Sequence, residues 1–117
     1  MRTVILKNPV YLLNGYSVVG PLEGKGPLKD YFDYILCGDQ VTKRKPHPET
    51  YLKVLDYFKV DSKQTLVLED SLVGVEAAYR AGTMCIMIPD LIAPTKKQEN
   101  QTIAIVKTMH EVISMIE

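Results

Sequence analysis

Thr65-Leu66-Val67-Leu68-Glu69-Asp70-Ser71-Leu72-Val73-Gly74-Val75-Glu76-Ala77-Ala78, followed by Ala81-Gly82, is the stretch from which the fold is read. The apolar run Thr65 to Leu68 reads as a strand, stopped by the polar Glu69-Asp70-Ser71. A helix follows over about 72–81, with Ala77, Ala78 and Ala81 as small packing residues. Gly82 is placed as its C-terminal cap. Strand, acidic turn and helix in immediate succession are the start of a βαβ unit.

Outward from this unit the rhythm repeats. Tyr34-Ile35-Leu36-Cys37, closed by Gly38-Asp39, reads as a buried strand ending in a turn. Pro48 opens a helix with Tyr51, Leu52, Leu55 and Phe58 at helical spacing. Thr83 to Ile88 is a third strand, ended by Pro89-Asp90. Residues 94–101 read as a polar connector. A last helix over about 102–116 carries Ile105, Met109, Val112 and Ile116 on one stripe. The alternation predicts right-handed βαβ units around a parallel sheet, an α/β, Rossmann-like fold. The division expected is one domain over 1–117, with an irregular segment 1–29 before a βαβαβα core at 30–117. Within the first segment Val4-Ile5-Leu6 and Val10 to Leu13 are possible short strands around the turn dipeptide Asn14-Gly15. The Gly/Pro-rich residues 20–27 leave no room for an ordinary helix.

Composition excludes several classes. The 117 residues are 46% hydrophobic and 24% charged, a globular balance, and fourteen Lys/Arg offset fourteen Asp/Glu. A zero net charge argues against a nucleic-acid partner. No apolar run reaches the ~20 residues of a membrane helix, and the N-terminal residues lack a secretory signal pattern, so a cytoplasmic protein is expected. Cys37 and Cys85 lie in separate apolar runs and read as buried, inert thiols.

In parallel sheets, ligands bind beyond the carboxyl ends of the strands. That rule selects Gly38-Asp39, Lys43-Arg44-Lys45 and Glu69-Asp70-Ser71. Two adjacent carboxylates are hard oxygen ligands of the kind that hold Mg²⁺ together with water and a phosphate, although Asp and Ser are also preferred helix caps. Lys45, restrained by Pro46 and Pro48, offers a compact cation for a phosphoryl group. Lys43, Arg44, His47 and His110 read as solvated. Ser17 is a further candidate hydroxyl at a strand end.

Lys45-Pro46-His47-Pro48-Glu49-Thr50-Tyr51-Leu52 together with Glu69-Asp70-Ser71-Leu72-Val73-Gly74 resembles the haloacid dehalogenase (HAD) superfamily, nearest to its branch of β-phosphoglucomutases and phosphoglycolate phosphatases. The resemblance runs over about 30–90. It implies a HAD-type three-layer parallel sheet with helices on both faces, incomplete at the N-terminus and without a cap domain. It also implies Mg²⁺ as cofactor, held by Glu69 and Asp70, and Lys45 as the catalytic, phosphate-binding lysine. Ser71 and Gly74 match the turn beside the metal, and Ser17 is the only candidate for the family's phosphate-binding hydroxyl. The implied activity is phosphohydrolase or phosphomutase chemistry on a small phosphorylated metabolite, sugar phosphates being one class, through an aspartyl-phosphate.

The family's Asp-x-Asp nucleophile motif does not occur in the chain, where the first aspartate is Asp30. Little or no turnover is therefore expected of the isolated chain, because a phosphoryl group needs an acceptor. The alternative is a non-catalytic α/β binding or interaction module, a truncated or degenerate relative. A phosphoreceiver domain is set aside because Lys45-Pro46 precedes the acids. Self-association through an exposed sheet edge is a further expectation.

Overall fold

The computed structural model describes residues 2–6, 11–14, 34–37 and 40–116. Two four-residue strands form the centre of the core: β4 (Leu66–Glu69) and β5 (Met84–Met87). Successive strand side chains point to opposite faces. Val67, Cys85 and Met87 accordingly enter one hydrophobic cluster, while Leu66, Leu68 and Ile86 enter the other. Burial from both sides is why these strands read as continuous apolar runs.

Helix α1 (Glu49–Phe58) and helix α2 (Leu72–Arg80) cover the first face. Tyr51 and Val54 from α1 meet Val75, Ala77 and Ala78 from α2 there. The buried stripe of α1 runs through Tyr51, Val54 and Leu55; Leu52, which the spacing also allowed, is 45% exposed. Gly82 does cap α2. Its φ of +83° lets its N–H reach Tyr79 O while Thr83 N–H reaches Ala78 O, at 3.0 and 3.2 Å.

The C-terminal part differs from its sequence reading. The connector over 94–101 contains helix α3 (Lys96–Gln101), started by a capping box in which the Gln98 carboxamide answers Thr95. The last helix begins later than predicted. Ala104–Ile105 is an edge strand, β6, paired parallel to β5, and only α4 (Met109–Ile116) is helical. Ile105 fell on the helical stripe by coincidence, whereas pairing with Met87 decides its state. Val112 of α4 packs on Leu66, Leu68 and Ile86, so helices lie on both faces of the sheet.

Three further strands, β1 (Arg2–Leu6), β2 (Tyr11–Asn14) and β3 (Tyr34–Cys37), extend the sheet to the order β3-β1-β2-β4-β5-β6. Strands β2, β4, β5 and β6 are parallel; β1 is antiparallel to both β2 and β3. The sheet is thus mixed rather than wholly parallel. The link over 7–10 is too short for a parallel crossover and long enough for a hairpin. Two strands of the segment read as irregular therefore lie in mid-sheet, and β3 is separated from β4 by both. Ser17 and Asp30 lie outside the described residues.

Cys85 is buried, and that burial pushes its thiol well above the ordinary value, in keeping with an inert core cysteine. The side chain of Cys37 lies outside the described residues. Among the described residues no helix is long and apolar enough to cross a membrane.

Candidate active site

The pleat of β4 determines the geometry. Glu69 lies two residues after Val67, so its side chain faces the α1–α2 side and is only 1% exposed. Asp70 follows past the strand end and is partly exposed. Lys45 arrives from the loop before α1, and its side chain is 3% exposed. The Lys45–Pro46 peptide is cis.

The sequence reading brought Lys45 and the acidic pair to one rim of the sheet. The structure joins Lys45 to Glu69 directly. Lys45 Nζ donates to Glu69 Oε1 at 2.5 Å and to the Tyr51 hydroxyl at 2.9 Å. The Tyr51 hydroxyl in turn donates to Glu69 Oε1 at 2.5 Å. Lys45 Nζ also sits 4.8 Å from the centroid of the Tyr51 ring, within cation–π range. On the other oxygen, the Ser71 hydroxyl donates to Glu69 Oε2 at 3.2 Å. Ser71 Oγ accepts the Gly74 N–H at 3.1 Å, capping α2. Gly74 has no alternative here, because a Cβ would lie 1.7 Å from Glu69 Oε2.

Electrostatics follow from this burial. Desolvation lowers the Lys45 ammonium from its ordinary value, and the charge of Glu69 opposes that fall. Burial, then Glu69, push the Tyr51 phenol well above its usual range, so it remains a proton donor. Burial and the neighbouring Glu69 charge raise Asp70, with Asp90 adding to the effect and Lys45 opposing it. Asp70 is thus a partly exposed carboxylate under like-charge repulsion, which a cation relieves. It suits a hard-oxygen ligand, whereas both oxygens of Glu69 already accept protein donors. Among the described residues no three His, Cys, Asp or Glu side chains group as a metal centre.

The remaining sequence candidates are placed simply. Lys43 and Arg44 are exposed, as is His110. His47 Nδ1 accepts the Glu49 N–H at 3.1 Å. Tyr51 was read only as a core residue, and its part in the ion-pair network was missed. The signal was present in kind: a buried tyrosine hydroxyl needs a partner, and this one lies six residues beyond Lys45. Tyr51→Phe keeps the ring and removes one donor to Glu69 and one acceptor from Lys45. Urea unfolding is expected to show a loss of about 1–3 kcal/mol; an unchanged midpoint would show that the hydroxyl contributes nothing.

The haloacid dehalogenase-like hydrolase family model matches residues 24–88. The phosphorylated carbohydrates phosphatase of Thermotoga maritima is 51% identical over 55 residues, covering 47% of this chain and 26% of that protein. A Thermotoga maritima structure assigned as a β-phosphoglucomutase superposes with a TM-score of 0.66 at 35% identity, covering 77% of this chain and 44% of that one. CbbY from Rhodobacter sphaeroides, solved with phosphate, superposes with a TM-score of 0.66 at 31% identity, covering 74% and 38%. The chain therefore spans well under two thirds of each of these relatives.

Proposed function

The chain belongs to the haloacid dehalogenase-like hydrolase family, and from that premise we propose that it carries the electrostatic part of a phosphoryl-transfer site for a small phosphorylated metabolite. The observation that carries the reading is the buried Lys45–Glu69 pair at the carboxyl end of β4. An ion pair taken out of water costs stability that apolar packing there would not, which makes sense where a fixed cation is needed. Lys45 holds and neutralises a phosphoryl group. Glu69 and Tyr51 keep its ammonium in place. Asp70, with Glu69 behind it, is the acid that holds Mg²⁺. When bound, Mg²⁺ would neutralise charge on the phosphoryl oxygens. The sugar-phosphate class is supported by the phosphorylated carbohydrates phosphatase, the relative at 51% identity.

No Asp-x-Asp occurs in the sequence. That favours a second reading, in which the isolated chain binds phosphate without turning it over. Hydrolysis of p-nitrophenyl phosphate separates the two.

Thermal unfolding of wild type and Asp70→Asn tests the metal. The folded state raises the Asp70 pKa, so between 3.8 and that raised value it keeps a proton the unfolded chain has released. Stability therefore falls as pH rises through that window, and the loss persists at neutral pH. In EDTA at pH 7, Asp70→Asn is accordingly expected to be slightly more stable, by under ~1 kcal/mol after discounting for solvent screening. With Mg²⁺ at about a hundred times its Kd, wild type gains about 2.7 kcal/mol and the variant gains nothing. Equal responses to Mg²⁺ would refute the metal assignment.

A further inference from the structure

Glu49 opens α1, yet its carboxylate turns back onto the loop that carries Lys45. Its Oε2 accepts the Thr42 N–H at 2.7 Å and the Lys43 N–H at 2.6 Å. Its Oε1 accepts the Thr42 hydroxyl at 2.7 Å. Three donors thus converge on one side chain, two of them successive backbone amides. We propose that Glu49 is a positioning residue for Lys45, clamping Thr42 and Lys43 so that the loop presents the lysine in one place. The proposal rests on the phosphoryl-binding reading of Lys45.

The connectivity makes the clamp effective. Glu49 and residues 42–43 close a short ring of chain with Lys45 inside it, and a short closed loop has few conformations. A further bond holds the ring to α2, Arg80 Nη1 donating to Pro46 O at 3.1 Å, and just outside the ring Lys53 Nζ of α1 donates to Gln40 O at 2.5 Å. The tip of Lys45 is held by Glu69 and Tyr51, while Glu49 holds the backbone two and three residues before it. The bonds from Thr42 and Lys43 hold the Glu49 carboxyl below its ordinary range, so it stays an ionised acceptor. Thr42 and Lys43 are themselves exposed. Releasing them therefore costs little folding stability but loosens a group whose placement matters to within about an ångström.

Glu49→Ala and Glu49→Gln test this, with three readouts. These are exchange of the Thr42 and Lys43 amide protons, the NMR signal of the Lys45 ammonium, and affinity for orthophosphate in the presence of Mg²⁺. In wild type, both amides exchange slowly despite their exposure. In Glu49→Ala they exchange at solvent rates and the Lys45 signal shifts or broadens. Orthophosphate affinity falls roughly tenfold, the lower end of what losing an orienting partner costs a site. Glu49→Gln restores all three, since a carboxamide oxygen can accept both amides while its NH₂ donates to the Thr42 hydroxyl.

Unprotected amides in wild type, or a Glu49→Ala protein with an unmoved Lys45 signal and unchanged affinity, would overturn the proposal. If Glu49→Ala does not fold, wild-type exchange and the Glu49→Gln comparison decide it. If orthophosphate fails to bind wild type, the phosphoryl reading fails, and the amide and ammonium signals alone judge the clamp.

Discussion

Lys45→Met is expected to destabilise the protein by about 3–5 kcal/mol, because it removes the ammonium paired with a buried carboxylate. Glu69 is 1% exposed, so water cannot replace the lost ammonium. The Tyr51 and Ser71 hydroxyls remain as donors, but neither carries charge. A native stability of about 5–15 kcal/mol makes this a large fraction of the whole. Replacing both partners, as in Lys45→Met/Glu69→Leu, is expected to recover most of the loss, since well-packed apolar groups often match or exceed a buried ion pair. Urea unfolding followed by circular dichroism measures both. A single variant within ~1 kcal/mol of wild type would show that the Lys45–Glu69 pair is not shielded from water in the folded protein. Recovery in the double variant together with loss of orthophosphate binding would assign the pair to ligand binding rather than to stability.

Gly74→Ala is the second large effect, and its sign is the informative part. At an exposed helix position the change gains about 1 kcal/mol. Here the new methyl carbon would lie 1.7 Å from Glu69 Oε2 and 2.0 Å from Glu69 Cδ. Glu69 can yield only by leaving Lys45, Tyr51 and Ser71, so a net loss of about 2–4 kcal/mol is expected from overpacking and a broken buried pair. In a Lys45→Met/Glu69→Ala background the obstructing carboxylate is gone, and the same substitution should become neutral or stabilising. If Gly74→Ala stabilises the wild-type chain as well, Glu69 is not packed against the first turn of α2.

Particular residues show how far local pattern reached. The run Leu66–Val67–Leu68 and the Ser71 and Gly82 boundaries of α2 were legible, because burial on both faces and helix-end chemistry leave marks within a few residues. Lys45 and the acids were legible as a group, because strand ends in an α/β sheet converge on one rim. The start of α4 was misplaced, since Ile105 satisfies a helical stripe and a strand pairing equally well. Leu52 satisfied the spacing of α1 yet faces solvent. Tyr51 and Glu49 were hidden for a different reason: a core tyrosine and a first-turn glutamate each have an ordinary structural explanation that the sequence alone does not separate from a positioning role.

From sequence come the βα pattern and the cap positions, because each depends on neighbours within one turn or one strand, and the candidacy of Lys45, Glu69 and Asp70, which rests on the strand-end rule and the family resemblance. Tertiary structure alone decides that β1 and β2 enter mid-sheet, that Glu69 meets Lys45 while Asp70 stays partly exposed, and that Gly74 must lack a side chain. Those outcomes depend on strand pairing and on groups meeting across 24 residues of chain. Periodicity within a segment carries no information about which distant segment packs against it.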